Sequence, residues 1–522
     1  MRESISRPDP AADATAVVTA LAAGVAGVFG SFGAVGFRPG FVVAPVESTL
    51  SRAMPGPVVR FAITVLGDVG QKLNLAFATV LVVLTYALLA ALAVHMSRRL
   101  GSRAVSTFGT GTFVWVLTAV VTLDPVTALG AALGAGAVVG AVDLVAALEG
   151  FTGGQTEDGN RRRRVVAALG TAVGTGAVGV SAGRSRTSPR GGSGGDGAEG
   201  PWDVSEQLAT AGERSFDVEG MDPSVSEGFY QVDINSVNPS IDPDRWSLSV
   251  TGAVEEPFAL TYPDLMDRDH EHRFVTLRCV GESLNGHKMD TALWSGVPVA
   301  SVVERANPSS DCNCVMLRAQ DGYYEEFPLD ALRPGMLALG MNGKLLPRGH
   351  GAPVRALVPG HWGEVNVKWI TEIEFLEKEQ TGYWEQRGWH GTGPVKTVAK
   401  LHGKERTDDG RMVVGGHAYA GTRGISGVEV STDGGDSWTE AELTERLPGA
   451  TGPAAEVGGG NAEYAADAWR LWKHAYDPPS GSHTVVARAR EADGTLQPSE
   501  ETDSFPSGPS GWVSRTFTPS NG

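Results

Sequence analysis

The chain has 522 residues, with 43 Lys and Arg against 60 Asp and Glu, a net charge of −17. Its hydrophobic fraction of 42% and its 12 Trp exclude a chain that is disordered throughout, and its three cysteines exclude a disulfide scaffold. The negative charge argues against a nucleic-acid partner, and the length predicts three or four domains of roughly 100–200 residues each.

Acidic and apolar residues are concentrated in different parts of the chain. Residues 1–200 contain 16 Lys and Arg and 12 Asp and Glu, a net charge of +4, whereas residues 201–522 contain 27 and 48, a net charge of −21. The second part has an acidic composition that resembles that of proteins from salt-loving microbes. We therefore expect an apolar N-terminal region followed by an acidic, soluble region.

The N-terminal region contains stretches with few charges that are long enough to cross a bilayer, which takes about 20 apolar residues. They lie at residues 15–36, 74–96, 104–123, 125–148 and 165–183. Five such stretches exceed what a small soluble core can bury, so we predict a membrane region over residues 1–183 rather than buried helices of a soluble domain. Residues 41–70 carry several charges and are predicted to form an amphipathic or re-entrant segment.

Basic residues in short loops predict the orientation, because they are retained on the cytoplasmic side. Arg98, Arg99 and Arg103 follow the second stretch, and residues 161–164 are four arginines before the fifth. With five spans the N-terminus is cytoplasmic and the chain from about residue 184 is extracellular; the orientation reverses if the weakly apolar fifth stretch does not span. The fifth stretch also has the paired arginines and small residues of a twin-arginine export signal, and the sequence leaves that alternative open.

A Gly/Ser-rich stretch at residues 184–215, containing GGSGGDGAEG, predicts a flexible linker. Beyond it, short runs such as WSLSVTGAV, FVTLRCV and CVMLRAQ alternate with Gly, Pro and Asp, which is typical of strands and turns. The best helical period lies at residues 296–306. Later runs, such as VGGHAYAG and HTVVARARE, alternate as the strands of a β-sandwich do, and DGG at 433–435 predicts a hairpin turn.

Cys279 stands at the end of a predicted strand in HRFVTLRCVGESLNG. Arg273 and Arg278 are close enough in sequence to favour its thiolate, the form that binds soft metals, although a lone cysteine is more often a small buried apolar residue. Cys312 and Cys314 form CNC. Without a second pair nearby they predict core positions rather than a metal site, and we do not expect them to pair with each other.

A second stretch, RGHGAPVRALVPGHWGEVNVKWI, concentrates basic groups in an otherwise acidic region. It contains His350, Arg355, His361 and Lys368. This density of cationic and hydrogen-bonding groups suits an anionic ligand such as a phosphate, although salt bridges to an acidic surface explain it equally well.

Over about residues 216–500 these segments resemble the sulfite oxidase family of molybdenum enzymes. The resemblance rests on FYQVDINSVNPSIDPDRWSLSVTG, on the strand-borne Cys279 followed by ALWSGVPVASVVE, and above all on MNGKLLPRGHGAPVRALVPGHWGEVNVKWI, with its HG-x-PVR and V-K-W elements in order. The later segments STDGGDSW and AWRLW are similar to the family's molybdenum-cofactor dimerisation domain, of immunoglobulin-like type.

The resemblance implies a multidomain fold. An N-terminal α-helical transmembrane bundle (1–183) and the linker (184–215) would precede an α+β molybdopterin-binding oxidoreductase domain (216–385). An immunoglobulin-like β-sandwich of the dimerisation type (395–505) would follow.

The resemblance also implies roles for individual residues. Cys279 would be a catalytic residue and the metal ligand, supplying the protein thiolate to molybdenum, with the other sulfurs from one molybdopterin. His350 and Arg355 match the positions that hold the pterin phosphate. Lys368 matches a basic residue that follows a turn, and Asn366 matches the polar position before it.

Aromatic residues match two further parts of the family pattern. Phe229 and Tyr230 match cofactor contacts of the first segment. Tyr323 aligns with a catalytic tyrosine near the active-site oxo group, and Tyr324 is the alternative to it.

The sequence departs from the family where sulfite would bind. Animal and plant sulfite oxidases carry C-x-G-N-R-R after the metal cysteine, whereas this chain has Ser283 and Leu284 in place of the two arginines. Ile234 also replaces an expected arginine. A pocket built for sulfite is therefore in doubt, although Arg278 or Lys288 could substitute.

The sequence thus predicts a membrane-anchored molybdenum-cofactor oxidoreductase. It would transfer an oxygen atom, with two electrons, to or from a small sulfur- or nitrogen-oxo compound or oxyanion. Electrons would pass to or from a separate carrier: a cytochrome, a copper protein or a quinone. No haem is expected in this chain, because His95 is the one histidine within the predicted spans, and a homodimer through the C-terminal domain is possible. The alternative is a non-catalytic, membrane-tethered binding protein that uses a degenerate cofactor fold.

Overall fold

The computed structural model describes residues 10–152, 156–186, 197–457 and 463–518. The chain divides into two compact units, each built from separate stretches. The first unit comprises residues 1–54, 67–189 and 233–240, and the second comprises residues 55–66, 190–232 and 241–522.

Helices make up most of the described chain before residue 187. They are α1 (Pro10–Val35), α2 (Val43–Ala53), α3 (Gly56–Phe61), α4 (Asp68–Leu100), α5 (Arg103–Thr122), α6 (Ala128–Thr152) and α7 (Glu157–Arg186). Within the described residues, α1 and α4 to α7 are long and apolar enough to cross a membrane. The five predicted apolar stretches are thus helical along nearly their whole lengths.

Small residues determine how closely the helices of the first unit pack. Helix α1 packs against α4, α6 and α7. Ala23 and Ala26 of α1 are fully buried, and a side chain added at Gly30 or Gly130 would collide with the backbone of the facing helix. Small residues permit this close approach of helices where van der Waals packing has to hold them together.

The predicted amphipathic segment at residues 41–70 is divided between the units. Its first part forms α2, which buries the carboxylate of Glu47 against α4. Glu47 accepts hydrogen bonds from Asn74 Nδ2 (2.8 Å) and from the backbone N–H and hydroxyl of Ser236 (both 3.1 Å). Its second part, residues 55–66, continues from α3 into a π-helical turn (Ala62–Leu66) and belongs to the second unit.

Two sheets organise the first half of the second unit. The elements are α8 (Ser205–Glu213), β1 (Ser247–Gly252), β2 (Phe258–Thr261), α9 (Tyr262–Met266), β3 (Glu271–Arg278), β4 (Met289–Pro298), α10 (Val299–Ala306), β5 (Cys314–Ala319), β6 (Tyr324–Pro328), α11 (Leu329–Leu332), β7 (Met336–Met341), β8 (Lys344–Leu345), β9 (Arg355–Leu357) and β10 (Ile370–Phe375). One sheet has the order β2-β1-β10-β5-β6, and the other has the order β3-β4-β7-β8 with β9 paired to β7. Strands β1 and β10 are parallel. The strands predicted from WSLSVTGAV, FVTLRCV and CVMLRAQ and the helix predicted at 296–306 are all present.

The second half of this unit is rich in β-structure. Its strands are β11 (Val398–Ala399), β12 (Gly403–Arg406), β13 (Met412–Tyr419), β14 (Ile425–Ser431), β15 (Thr439–Glu440), β16 (Glu442–Leu443), β17 (Arg470–Tyr476), β18 (His483–Glu491) and β19 (Val513–Phe517). They form the sheets β11-β13-β17-β16, with β12 paired to β13, and β15-β14-β18-β19. Buried residues of both sheets, including Val414, Leu471 and Val485, share one core. The predicted hairpin turn joins β14 to β15, with Gly434 and Gly435 at φ values of 83° and 111°.

The prediction that Cys312 and Cys314 do not pair is wrong. The structure joins them in a disulfide, with their Cα atoms 5.2 Å apart, which lies within the usual range for a disulfide. Asn313 between them has a φ of 49°. This left-handed conformation turns the chain, so that both side chains leave it on the same side rather than on alternate faces of a strand.

Candidate active site

Cys279 follows β3 directly and begins the loop that connects β3 to β4. Its backbone N–H donates to the carbonyl oxygen of Lys288 (2.9 Å), which closes the loop between the strands. A Cβ atom built at Gly281 would lie 4.0 Å from Cys279 Sγ, 3.5 Å from the indole of Trp389 and 3.1 Å from Ile63 Cγ2. The loop thus holds the thiol beside an aromatic and an aliphatic side chain from distant parts of the chain.

The arginines near Cys279 do not activate its thiol, which corrects the expectation from the sequence. Burial, with a further contribution from the charge of Glu282, raises the pKa of the Cys279 thiol to about 11. Arg278 forms a salt bridge with Glu282 (2.8 Å). Arg273 pairs with Glu271 (3.6 Å) and donates to the carbonyl oxygen of Pro334 (2.8 Å). A metal ion that binds the sulfur would therefore itself have to displace the proton.

A buried ion network fixes the loop that carries Cys279. Arg278 Nε donates to Glu282 Oε1 (2.8 Å), and Lys400 Nζ lies 2.7 Å from the same carboxylate. All three side chains are at most 1% exposed. Burial would raise the pKa of Glu282, but Lys400 and Arg278 hold it below its usual value. Asn285 adds two hydrogen bonds of 2.9 Å to the backbone of Leu401.

This network makes Arg278 a poor substitute for the family's substrate arginines. Its guanidinium is fully buried, is paired with Glu282 and donates to the carbonyl oxygen of Lys396 (2.8 Å). The exposed Ser283 and the half-buried Leu284 occupy the positions of the two family arginines, and Leu284 packs against the C-terminal core. The backbone N–H of Lys288 donates to Glu282 Oε2 (3.0 Å), and the charge of Lys288 acts on Cys279.

The structure brings together His350 and Arg355, which were predicted to hold the pterin phosphate, and the predicted cofactor-binding residues Asn366 and Lys368. His350 closes a 3₁₀ turn, and Gly351 follows at a φ of 106°, where a Cβ would press on Arg355 and Lys368. Arg355 Nη1 and Nη2 donate to the carbonyl oxygens of His350 (3.3 Å) and Asn366 (3.0 Å), and Lys368 Nζ donates to that of Gly349 (3.1 Å). We call His350, Arg355 and Lys368 the cation cluster.

The electrostatics of the cation cluster fit an anionic ligand. Burial, and then the positive charges of Lys368 and Arg355, lower the pKa of His350 to about 3, so its imidazole is uncharged at neutral pH. Asn366 serves the scaffold: its Oδ1 accepts from the N–H of Val358 (2.7 Å) and its Nδ2 donates to the carbonyl oxygen of Trp362 (3.0 Å). Two fixed cations beside a neutral imidazole are a suitable donor set for a phosphate.

Phe229 and Tyr230 lie between the cation cluster and Cys279. The two rings stack, with centroids 5.5 Å apart, and Phe229 meets His350 edge to face at 5.6 Å. The backbone N–H of Tyr230 donates to Asp290 Oδ2 (2.7 Å). Burial, and then the charge of Cys279, raises the pKa of the Tyr230 phenol. These two aromatic residues therefore connect the predicted metal ligand to the predicted phosphate site.

Tyr323 belongs to a group of buried carboxyls that the sequence did not reveal. Its hydroxyl lies 2.9 Å from both Glu325 Oε2 and the carbonyl oxygen of Glu364, whereas the Tyr324 hydroxyl donates to Gln386 Oε1 (3.0 Å). We call Glu325, Glu364 and Glu385 the carboxyl cluster. The alternation of the YYEEF strand was the available signal, because it turns Glu325 inward next to the outward-facing Glu326.

The carboxyl cluster suppresses its own charge. Burial, followed by the charge of Glu385, raises the pKa of Glu364 to about 8, and burial with Glu385 raises that of Glu325 well above its usual value. The charge of Glu364 in turn contributes to the raised pKa of Cys279, so the cluster acts on the thiol. Burial therefore favours the protonated forms of Glu325 and Glu364 at neutral pH.

Within the described residues, no group of three or more His, Cys, Asp and Glu could by itself hold a metal ion. Cys279 is the one free cysteine there. A metal at this site would therefore need ligands from a second molecule, and a single thiolate with a dithiolene cofactor satisfies that requirement.

Comparison with known proteins agrees with this geometry. Residues 235–384 match the oxidoreductase molybdopterin binding domain, and residues 395–507 match the Mo-co oxidoreductase dimerisation domain. The chain is similar to the mitochondrial sulfite oxidase of Homo sapiens, with 27% identity over 313 residues that cover 50% of this chain and 54% of that protein. The chain thus spans about half the length of this curated relative.

Further relatives cover similar segments. The sulfite oxidase of Arabidopsis thaliana is 25% identical over 48% of this chain and 76% of that protein, and the uncharacterized oxidoreductase YuiH of Bacillus subtilis is 29% identical over 29% and 76%. Among solved structures, the sulfane dehydrogenase SoxCD of Paracoccus pantotrophus is similar, with a TM-score of 0.45, 20% identity and coverage of 55% of this chain and 76% of that chain. The two matched domains and the similarity to the sulfite oxidases place residues 235–507 with the molybdopterin-binding and dimerisation domains of the sulfite oxidase family.

Proposed function

We propose that this chain is a membrane-anchored enzyme that transfers an oxygen atom, with two electrons, to or from a small sulfur- or nitrogen-oxo compound. The observation that carries the proposal is the continuous arrangement of Cys279, the stacked Phe229 and Tyr230, and the cation cluster. Within one unit it supplies a thiol for the metal, an aromatic wall and a phosphate site, as a molybdopterin requires.

Each predicted site residue has a specific task in this proposal. Cys279 supplies the sulfur ligand, and Arg355 and Lys368 bind the pterin phosphate, with the neutral His350 as a hydrogen-bonding partner. Asn366 holds the backbone of this loop, and Phe229 and Tyr230 line the cofactor. The bound group supplies oxygen-atom transfer through a metal that changes its oxidation state by two electrons.

The carboxyl cluster supplies protons in this proposal. Removing one oxygen atom from a substrate as water consumes two electrons and two protons, and the reverse reaction releases them. Glu325 and Glu364, held protonated by burial, can store these protons, and the Tyr323 hydroxyl donates to Glu325 Oε2 (2.9 Å), which orients that carboxyl group.

The charge around Cys279 favours an uncharged substrate over sulfite. The two positions that carry arginine in the family hold Ser283 and Leu284, and Arg278 is paired with Glu282. Glu364, which burial holds protonated at neutral pH, adds no positive charge. An anion would meet no matching charge from these residues, so sulfoxide-like and N-oxide-like compounds fit better than sulfite.

The proposal includes the location and the assembly. The membrane region would cover residues 1–183 as a transmembrane bundle, followed by the predicted linker at 184–215, the cofactor domain at 216–385 and an immunoglobulin-like domain at 395–505. The flexible part of this linker is shorter than the sequence predicts, because its last part contains α8 (Ser205–Glu213), with Ala211 buried. Arg98, Arg99 and Arg103 support an orientation with the cofactor domain on the extracellular side. The match to a dimerisation domain supports a homodimer, and electrons would pass to a separate carrier.

The decisive test is elemental analysis of the purified full-length chain, produced in a host that makes molybdopterin. We expect close to one molybdenum per chain, with a spectroscopic signature that is altered in Cys279→Ser. The matched control is the double variant Cys312→Ser/Cys314→Ser, which removes the other two cysteines and keeps the metal and its signature. Well-folded protein without molybdenum would overturn the proposal and leave the binding-protein alternative. Turnover assays with a sulfoxide, an N-oxide and sulfite would then rank the substrates.

A further inference from the structure

Residues 55–66 connect two helices of the apolar region, yet they belong to the unit that holds Cys279. We call them the roof segment. They comprise α3 and the π-helical turn up to Leu66. Eleven helical residues span about 16 Å, half the thickness of the hydrocarbon core of a bilayer, so the roof segment is too short to cross a membrane.

The inner face of the roof segment packs beside the Cys279 loop. Ile63 Cγ2 lies 3.1 Å from the Cβ position of Gly281, two residues after the cysteine, and belongs to the cluster that contains Trp389. The guanidinium of Arg60 lies 4.0 Å from the ring centroid of Phe505. A Cβ at Gly56 would lie 3.1 Å from the carbonyl oxygen of Arg387, so the chain is close there as well.

The outer face of the roof segment is apolar and exposed. Val58, Phe61 and Val65 follow one another at helical spacing and are 49%, 53% and 66% exposed. Three large apolar side chains on one short face form a patch that water solvates poorly. Something other than water is expected to cover them.

Chain connectivity indicates what covers this face. The apolar stretch of α4 begins at Val69, three residues after the roof segment ends. Four helices that are long enough to span, α4 to α7, separate the roof segment from the linker. The placement of the roof segment rests on the proposed transmembrane bundle: if α4 to α7 all span, their even number returns the chain to the side it left, and the roof segment and the linker would lie on the same side of the membrane.

We propose that the roof segment lies in the surface layer of the membrane. Val58, Phe61 and Val65 contact lipid, while Ile63, on the opposite face, shields the loop that carries Cys279. The partner is the phospholipid surface itself, bound through buried apolar area. The site would then open next to the membrane.

A photo-crosslinking experiment tests the lipid contact. A diazirine-bearing amino acid replaces Phe61 or Val65 in the full-length chain, reconstituted in phosphatidylcholine nanodiscs, and the products are identified by mass spectrometry. We expect lipid adducts at both positions. The same probe at Ile63 should capture only the chain itself, and at Val457, an apolar residue with 54% exposure in the C-terminal region, it should capture no lipid.

Two outcomes would overturn the lipid contact: adducts between two copies of the chain, or no lipid adduct at either outer position. Lipid capture does not depend on bound molybdenum. Failure of this proposal is therefore distinguishable from failure of the proposed chemistry.

The rate at which Cys279 is alkylated tests whether Ile63 shields the loop that carries this cysteine. In the cofactor-free full-length chain, Ile63→Ala should speed alkylation of Cys279 by a bulky maleimide several-fold. Val65→Ala, an equal truncation on the outer face, should leave the rate unchanged. Equal alkylation rates in the two variants would show that Ile63 does not shield Cys279. Intrinsic tryptophan fluorescence verifies that both variants are folded.

Discussion

The cation cluster and the carboxyl cluster lie in the same unit and meet dry surroundings in opposite ways. In the cation cluster, burial and then the positive charges of Lys368 and Arg355 lower the pKa of His350 to about 3, so the histidine is the member that is uncharged at neutral pH. In the carboxyl cluster, burial raises the pKa of Glu364 to about 8, so the negative charge is removed by protonation. One cluster is built to keep charge for a bound anion, and the other to hold protons in place of charge.

The largest expected effect concerns the loop that carries Cys279. Glu282→Ala leaves Arg278 and Lys400 buried without their carboxylate, which we expect to lower the free energy of unfolding by about 3–5 kcal/mol. Urea denaturation of the full-length chain measures this loss. Glu445→Ala, whose side chain is 81% exposed and pairs with Arg214 at 3.4 Å, should cost under about 0.5 kcal/mol. Similar losses in both variants would show that the network does not fix the loop.

Removing a cation should weaken the hold on the cofactor. Arg355→Ala deletes a charged hydrogen-bond donor, worth about 1.5–3 kcal/mol, and we expect a loss of cofactor affinity of about 10- to 100-fold. Pterin and molybdenum content after dialysis measure it. Lys378→Ala removes an exposed cation outside the cluster and should leave the content unchanged. Full retention in Arg355→Ala would contradict the assignment of a phosphate to this cluster.

The carboxyl cluster should make stability depend on pH. Because the pKa of Glu364 is raised from 4.5 to about 8 on folding, the unfolded chain loses this proton first as the pH rises. The contribution of Glu364 to the free energy of unfolding is thus fully present below about pH 4.5. It is lost as the pH rises towards about 8, by at most about 1.4 kcal/mol per pH unit.

Glu364→Gln should flatten this dependence between about pH 5 and 8 in the cofactor-free chain, as measured by urea denaturation at several pH values. Glu377→Gln, an exposed change of the same kind, should leave it unaltered. A profile that keeps its full slope in Glu364→Gln would show that this carboxyl is not held protonated.

The smallest expected effect sharpens the argument about substrate charge. Ser283→Arg adds an exposed cation at one of the two positions where the family carries arginine. We expect the KM for sulfite to fall by a few-fold, in line with the roughly 0.2–1 kcal/mol of an exposed ion pair. Ser283→Gln is the neutral control, and the KM for an uncharged sulfoxide should not change in either variant. A lower KM for sulfite in both would mean that charge is not what is missing.

The parts of the site that the sequence predicted are local in the chain. Cys279 follows its strand directly, and His350, Arg355 and Lys368 lie within 19 residues, so the pattern of one segment specifies their neighbourhood. The apolar helices could be predicted equally well, because each depends on the composition of one continuous stretch.

The parts that the sequence did not predict depend on pairs that are distant in the chain. Glu282 meets Lys400 across 118 residues, and the carboxyl cluster joins three separate segments. The roof segment is joined to the apolar helices in sequence but belongs to the second unit. Packing between remote segments sets these contacts, and neither periodicity nor local composition encodes which remote partner is chosen.

Because Cys312 and Cys314 form a disulfide, the number of free thiols reports whether the second unit folded in an oxidising or a reducing compartment. Disulfides persist in oxidising compartments and are rare where glutathione and thioredoxin keep thiols reduced. Of the three cysteines in the chain, a cofactor-free molecule that matured outside the cell would expose one to alkylation after denaturation, and one that matured in a reducing cytoplasm would expose three. The mass of the alkylated chain, isolated without reductant, therefore indicates the compartment in which the second unit folded.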